Sequence, residues 1–246
     1  MIDPVQFKLN FFSGILLLTS PNERNENAMS IEIPNRYEFY DWQFKIRESP
    51  EELLLLCEKL GLVPNVWALF EWSNWLTPNQ VYQKRYDAVF YACQINHKPP
   101  VYLNKREHIH RLWCSPLTLI QEFRSKRIIL PPPQLYETSK LINFKSIDEF
   151  KKYSFQRQKK GTERWQPFKF FFKNDSSIIF VYPGDFRYPK NPRSIPIDYE
   201  SELEGTIDDD LNVGPLNRTV IKKGLSKVIC NIDLNCGHYR PVQLES

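Results

Sequence analysis

Apolar and polar positions along the chain change period several times, and the changes divide it into elements. A solid apolar run, Ile15 to Leu18, follows Gly14; a glycine before such a run marks the exit from a helix into a strand. Residues 19–36, TSPNERNENAMSIEIPNR, are polar and rich in turn formers, which predicts a surface loop. SPEELLLLCEKLG then reads as a punctuated helix over 49–60. Ser49 stands as N-cap, Pro50 as first helical residue, Glu52 as partner in a capping box and Gly61 as C-terminal cap. Its expected core face is Leu53, Leu54, Leu56, Cys57 and Leu60. WALFEWSNWLTP is a strand-like aromatic segment that stops at Pro78. The nearly continuous apolar stretch in RYDAVFYACQI predicts a central strand covered on both faces.

Helical spacing returns in PLTLIQEFRSK, with Leu117, Ile120 and Phe123 on one side, Ser115 as N-cap and Pro116 behind it. LPPPQLYETSKLINF breaks that helix and starts another. SIDEFKKYSFQRQ is a third, with Ser146 and Glu149 as capping box. From Trp165 the period becomes that of strands. FKFFFKNDSSIIFVYPGD is two strands about an Asn-Asp turn, followed by a Pro-Gly-Asp turn. IPIDYESELEGTIDDDL is acidic and predicted mobile, and RTVIKKGLSKVICNIDL closes with more strand.

Composition narrows the class without naming a chemistry. The 246 residues are 41% hydrophobic and 14% aromatic, so a sizeable core is expected. The 33 basic and 29 acidic residues leave a net charge of +4, too balanced to point to nucleic acid. Five cysteines show neither CxxC nor zinc spacing, and Cys57 and Cys93 sit in apolar runs that predict buried thiols. No run reaches membrane-spanning length. The apolar stretch at residues 9–18 lacks an A-x-A cleavage site, and the C-terminal Leu244-Glu245-Ser246 is not the S-K-L address.

Several segments carry a resemblance as an ordered set. They are DWQFKIRESPEELLLLCEKLGLVPNVWALFEWSNWLTP, KRYDAVFYACQI, WCSPLTLIQEFRSKRIILPPPQLYE, ERWQPF and PGD. In this order the chain resembles the acyl-coenzyme A diphosphatase branch of the Nudix hydrolases, from about Gly14 to Pro241. The resemblance implies an α/β fold: a Nudix-like α/β/α sandwich core, incomplete at the N-terminus, with a helical insertion and a small C-terminal β extension. The implied division is a core over 1–160, with 19–61 as the insertion carrying helix 49–60, and a β-rich extension over 161–246. It further implies cleavage of the diphosphate of coenzyme A or acyl-CoA to adenosine 3',5'-bisphosphate and a phosphopantetheine product. Mg2+ or Mn2+ would be the cofactor and coenzyme A the ligand, in a peroxisome or mitochondrion, although no targeting signal is readable.

The Nudix box of that superfamily reads G-x5-E-x7-R-E-U-x-E-E-x-G-U, with U a bulky apolar residue. Gly14 and Ile15 match its last two defined positions, and Leu9 keeps an apolar one. The paired glutamates fall on Phe11 and Phe12, and the preceding Arg-Glu on Phe7 and Lys8. In this register the first glycine and glutamate would precede Met1, so the chain is expected to begin inside the box, as a partial sequence. Hard divalent cations take carboxylate oxygens, and phenylalanine offers none. Metal-assisted turnover is therefore not expected, and no metal ligands are assigned.

Other candidates each have a plain structural alternative. Glu107 aligns with an acidic residue before the strand-to-helix turn of the branch; its alternative is a solvated strand edge. Arg85 and Asp87 match the start of a family strand and are candidates for substrate binding; the alternative is a local charge pair. Trp72 and Trp75 could line an adenine or acyl pocket, or pack in the core. His108 and His110 alternate on one strand face without a third ligand and are read as surface residues. The functional alternative to a diphosphatase is a non-catalytic protein that binds coenzyme A or a nucleotide.

Overall fold

A computed structural model describes residues 17–22, 29–30, 36–78, 85–95, 112–195, 201–211 and 213–243. The chain forms two compact units, one from residues 8–70 and 91–113 and the other from residues 1–7, 71–90 and 114–246. Among the described residues, the first unit carries a small antiparallel sheet in the order β2-β1-β3, from β1 (Leu17–Thr19), β2 (Met29–Ser30) and β3 (Val63–Pro64). Helices α1 (Arg36–Glu48) and α2 (Glu52–Leu60) lie between β2 and β3 in sequence and pair through Lys59 and Glu38. Gly61 ends α2 as expected, at φ 64°, and Leu62 N–H returns to the carbonyl of Cys57.

The start of α2 differs from expectation. Ser49 makes no cap: its hydroxyl donates to Glu51, and the helix begins at Glu52 without a side-chain cap. The inward face is narrower too. Leu56 and Cys57 are buried, whereas Leu54 is 61% exposed.

The second unit carries all but the first residue of the aromatic strand β4 (Phe70–Leu76), which sits between β5 (Asp87–Ala92) and the two-residue β6 (Arg164–Trp165). β4 stops just before Pro78, as its composition requires. β5 corrects the sequence reading. Among the described residues it lies at the edge of this three-stranded sheet, with Tyr86, Val89 and Tyr91 exposed, and Cys93 beyond it is exposed as well. A continuous apolar run reports strand propensity; it does not say which neighbours will cover the strand.

Helices α3 (Pro116–Arg124), α4 (Pro132–Leu141) and α5 (Ile147–Gln158) follow. Ser115 and Ser146 both cap, accepting from the N–H groups of Thr118 and Glu149 at 3.1 Å. Glu149 reaches back one residue beyond the expected box, to Lys145 N–H.

The β-rich remainder is a five-stranded sheet in the order β11-β10-β8-β7-β9. Its strands are β7 (Phe168–Phe172), β8 (Ile178–Val181), β9 (Glu202–Leu203), β10 (Asn217–Lys222) and β11 (Leu225–Cys230). Strict alternation in FKFFF puts Phe168, Phe170 and Phe172 inside. β10 and β11 close through Lys223-Gly224, both at positive φ, the backbone that a two-residue hairpin demands. The acidic stretch before β10 is ordered over its described part. Helix α6 (Ile207–Asp210) buries Ile207 and Asp210, and residues 196–200 lie outside the described residues.

A buried charged lock holds this sheet to its turns. Arg218 of β10 is fully buried and takes Asp185 through two bonds of 2.7 Å and Asp210 through one of 2.5 Å. Arg187 also pairs with Asp210. Burial alone would raise the Asp210 pKa, but the two guanidiniums outweigh it and hold this carboxyl below its usual range.

Candidate functional site

The most elaborate polar arrangement among the described residues is assembled on α4. This short helix is buried around its whole circumference from Leu135 to Leu141, including Glu137 and Lys140. Charges enclosed in this way must be paired. Glu137 and Lys140 stand one turn apart and meet at 2.7 Å. The same carboxylate accepts the indole N–H of Trp72 at 2.6 Å and that of Trp75 at 3.0 Å. Two tryptophans three positions apart on β4 thus grip one carboxylate on α4.

Arg157 of α5 and His238 of the C-terminal segment complete the group. Arg157 donates to the carbonyl of Glu71 and lies 5.5 Å from the centre of the Trp72 ring, while Lys140 Nζ is 5.3 Å from it. His238 stands between these two basic side chains, its Nδ1 3.2 Å from Lys140 Nζ and its Nε2 3.2 Å from Arg157 Nη1. Burial, reinforced by both neighbouring cations, pushes the His238 pKa down to about 2. Burial lowers that of Lys140 despite the pull of Glu137. Tyr153, against the same ring, is pushed up to about 12 by burial.

A small pocket opens beside Lys140 and His238. Ser73 and Asn74 line it, and the Ser73 hydroxyl and the Asn74 side-chain oxygen have no hydrogen-bond partner among the described residues. Its free volume is about 10 Å³, room for about one water molecule. A nucleotide or acyl chain needs a cavity of several hundred Å³. The group can bind a water and hold a proton, but it cannot enclose a substrate in this form.

The remaining candidates lie elsewhere. Arg85 and Asp87 are exposed at the start of β5. Arg85 donates to the carbonyl of Thr77 and to Gln166, and Asp87 pairs with Arg164 at 2.8 Å. The structure brings Trp72 and Trp75 together and leaves Arg85 and Asp87 apart from them. Gly14, Ile15, Glu107, His108 and His110 lie outside the described residues.

The described donor set does not fit a divalent ion. Among the described residues no group of three or more His, Cys, Asp or Glu side chains is placed to hold a metal. Glu137 and Asp185, the most buried carboxylates, are already saturated by cations and N–H groups. No chemical step through a metal is therefore derived from these residues.

Glu137, Lys140, Arg157 and His238 were not singled out in the sequence. The available signal was a Glu and a Lys one turn apart, flanked by Leu135, Tyr136 and Leu141 in a helix too apolar around them to leave either in water.

A family model described as the NUDT19 Nudix domain matches residues 10–141 of the chain, more than half of its length. The chain belongs to the NUDT19 Nudix family. Its fold is accordingly the mixed α/β arrangement of a Nudix-like protein. The chain is 31% identical to the acyl-coenzyme A diphosphatase NUDT19 of Xenopus laevis over 95% of its own length and 63% of that protein. It is 36% identical to the protein of the same name in Gallus gallus, over 95% of this chain and 65% of the relative. The human one is 34% identical over 72% of this chain and 47% of its own length. The chain thus spans less than two thirds of the relatives it matches. No solved structure matches it. Within the family match, Glu137 and Lys140 are included, whereas Arg157 and His238 lie beyond its end.

Proposed function

We propose that this chain belongs to an acyl-CoA diphosphatase, a protein that hydrolyses the diphosphate of coenzyme A or its acyl esters. The observation that carries this reading is the pair of relatives named for that activity, each aligned over 95% of the chain. The reaction class needs divalent cations, Mg2+ or Mn2+, to neutralise the diphosphate and activate water. The residues at the box register, Phe7, Lys8, Phe11 and Phe12, supply no carboxylate for them. Binding of coenzyme A without turnover is therefore the behaviour expected of the chain as it stands. A peroxisomal or mitochondrial setting belongs to the same proposal and rests on the resemblance alone.

The test is to incubate the purified chain with coenzyme A and Mg2+ or Mn2+, following phosphopantetheine release alongside calorimetric binding. Binding with release at background supports the reading. Release that chelation abolishes would show that other carboxylates, Glu107 among them, replace the box glutamates. Neither binding nor release would remove coenzyme A as the ligand.

A second reading, a non-catalytic binder of coenzyme A or nucleotide, draws on the same Phe11 and Phe12. It is separated from the first by joining a complete Nudix box and its preceding strands ahead of Gly14: a binder by descent stays silent even then.

A further inference from the structure

The hydrogen bonds around His238 cannot all be made if every neighbouring base is charged. A neutral imidazole has one N–H and one lone pair. The guanidinium of Arg157 keeps its protons, so Nε2 of His238 must be the acceptor at 3.2 Å. The ring proton then sits on Nδ1 and points at Lys140 Nζ, also at 3.2 Å. An ammonium has three donors and no lone pair, so it would set N–H against N–H. A neutral amine accepts from Nδ1 and donates to Glu137 at 2.7 Å. The chain of bonds then runs one way, from Arg157 through His238 and Lys140 to Glu137.

Burial favours the same state. An ammonium at Lys140 would be enclosed at a residue 2% exposed, and burial disfavours that charged form.

Other titratable groups also face this chain. From α4, Tyr136 presents its ring to Lys140, and from β11 the buried Cys230 thiol lies nearby. From α5, Tyr153 flanks Arg157. Glu71 of β4 faces Arg157 and accepts from the Thr162 hydroxyl, and Glu163, which lines the pocket, accepts from Asn235. Cys236 lies on the same segment as His238.

That segment, residues 235–243, is fastened to the helices around this chain. Tyr153 donates its hydroxyl to the carbonyl of Gly237 at 2.6 Å and accepts from Tyr239 N–H at 3.0 Å. Asn143 donates to the carbonyl of Arg240, and Val242 N–H donates to that of Ser139. Asn235, Cys236 and His238 also form one wall of the small pocket.

We propose that Lys140 is held as a neutral amine and that the relay is a proton-operated latch on residues 235–243, which opens the pocket when Lys140 or His238 takes up a proton. A proton on either nitrogen turns the amine–imidazole bond into donor against donor, beside Arg157. Swinging His238 away relieves the clash, and the pocket loses a wall. Ser73, Asn74 and Lys140 then face solvent in a cationic cleft.

The sign follows from linkage. Both groups bind protons less readily closed than open, so closure strengthens as pH rises and weakens as it falls. For His238 the loss begins below its ordinary 6.5, and for Lys140 below 10.5. One linked proton changes the closing equilibrium by at most about tenfold per pH unit.

Two measurements on the full chain test the latch. The first is nitrogen NMR of lysine side chains near neutral pH, with the Lys140 signal identified by its loss in Lys140→Met. Two protons on Nζ are expected, and three would overturn the proposal. The second is amide exchange, corrected for intrinsic rates, from about pH 7.5 to about pH 5.5. Tyr239 and Val242 should lose protection while the amides of β10 keep theirs. Lys140→Met should flatten this dependence above about pH 6.5, where His238 no longer titrates. Equal slopes in both proteins, or joint loss in the segment and β10, would overturn it. Should the variant fail to fold, the proton count on Nζ of the unaltered chain still decides.

Discussion

Glu137 gathers three buried polar contacts on one carboxylate. It takes two indole N–H groups and a lysine at once, so its removal orphans three donors. Glu137→Leu should cost about 3–5 kcal/mol, the range for breaking a buried pair from one side. Urea denaturation would read this as a lower midpoint at unchanged slope. Gly184 is a second sensitive point, for steric reasons. It sits at φ 89° in the turn before Asp185, and a Cβ there would come within 2.3 Å of Ile232 Cδ1. The isoleucine tip can move, but the backbone conformation cannot suit an alanine. Gly184→Ala should therefore lose about 1–3 kcal/mol in the same measurement.

Helix starts separate what local sequence can announce from what it cannot. Ser-Pro or a Ser-x-x-Glu pattern precedes each of α2, α3 and α5, yet only Ser115 and Ser146 accept from the helix N–H groups. At α2 the carboxylate of Glu51 takes the Ser49 hydroxyl, and the helix starts later. Ser115→Ala and Ser146→Ala should each cost about 1 kcal/mol in thermal or chemical unfolding. Ser49→Ala should stay within about 0.5 kcal/mol, the range of a surface change that removes no cap. Equal losses at all three would show that Ser49 caps in solution.

For the molecule as a whole, the open question is whether glutamates at the box register are enough. Replacing Phe11 and Phe12 together by glutamate restores two carboxylates, but Lys8 remains one helical turn from them and repels a cation. The double variant is expected to show no Mg2+-dependent hydrolysis of coenzyme A above background. Turnover in that assay would mean that the metal is held by residues assigned here to other roles.

Periodicity and punctuation were enough to locate β4, α3, α5, the β7–β8 pair and the glycine that ends α2, because each depends on contacts within a few residues. The ordered motifs likewise placed the chain in its family, and the Phe pair at positions 11 and 12 is visible without coordinates. Local signals failed where the deciding partner is far away in sequence. β5 has the apolar run of a central strand and, among the described residues, lies at an edge. The acidic stretch that reads as mobile buries Asp210, because Arg218 and Arg187 wait for it. Glu137 and Lys140 look like an ordinary helical pair until Trp72, some 65 residues earlier, and His238, 98 residues later than Lys140, close over them. A charge becomes tolerable in a core only when its counter-charges and donors arrive together, and that convergence exists only in the folded chain.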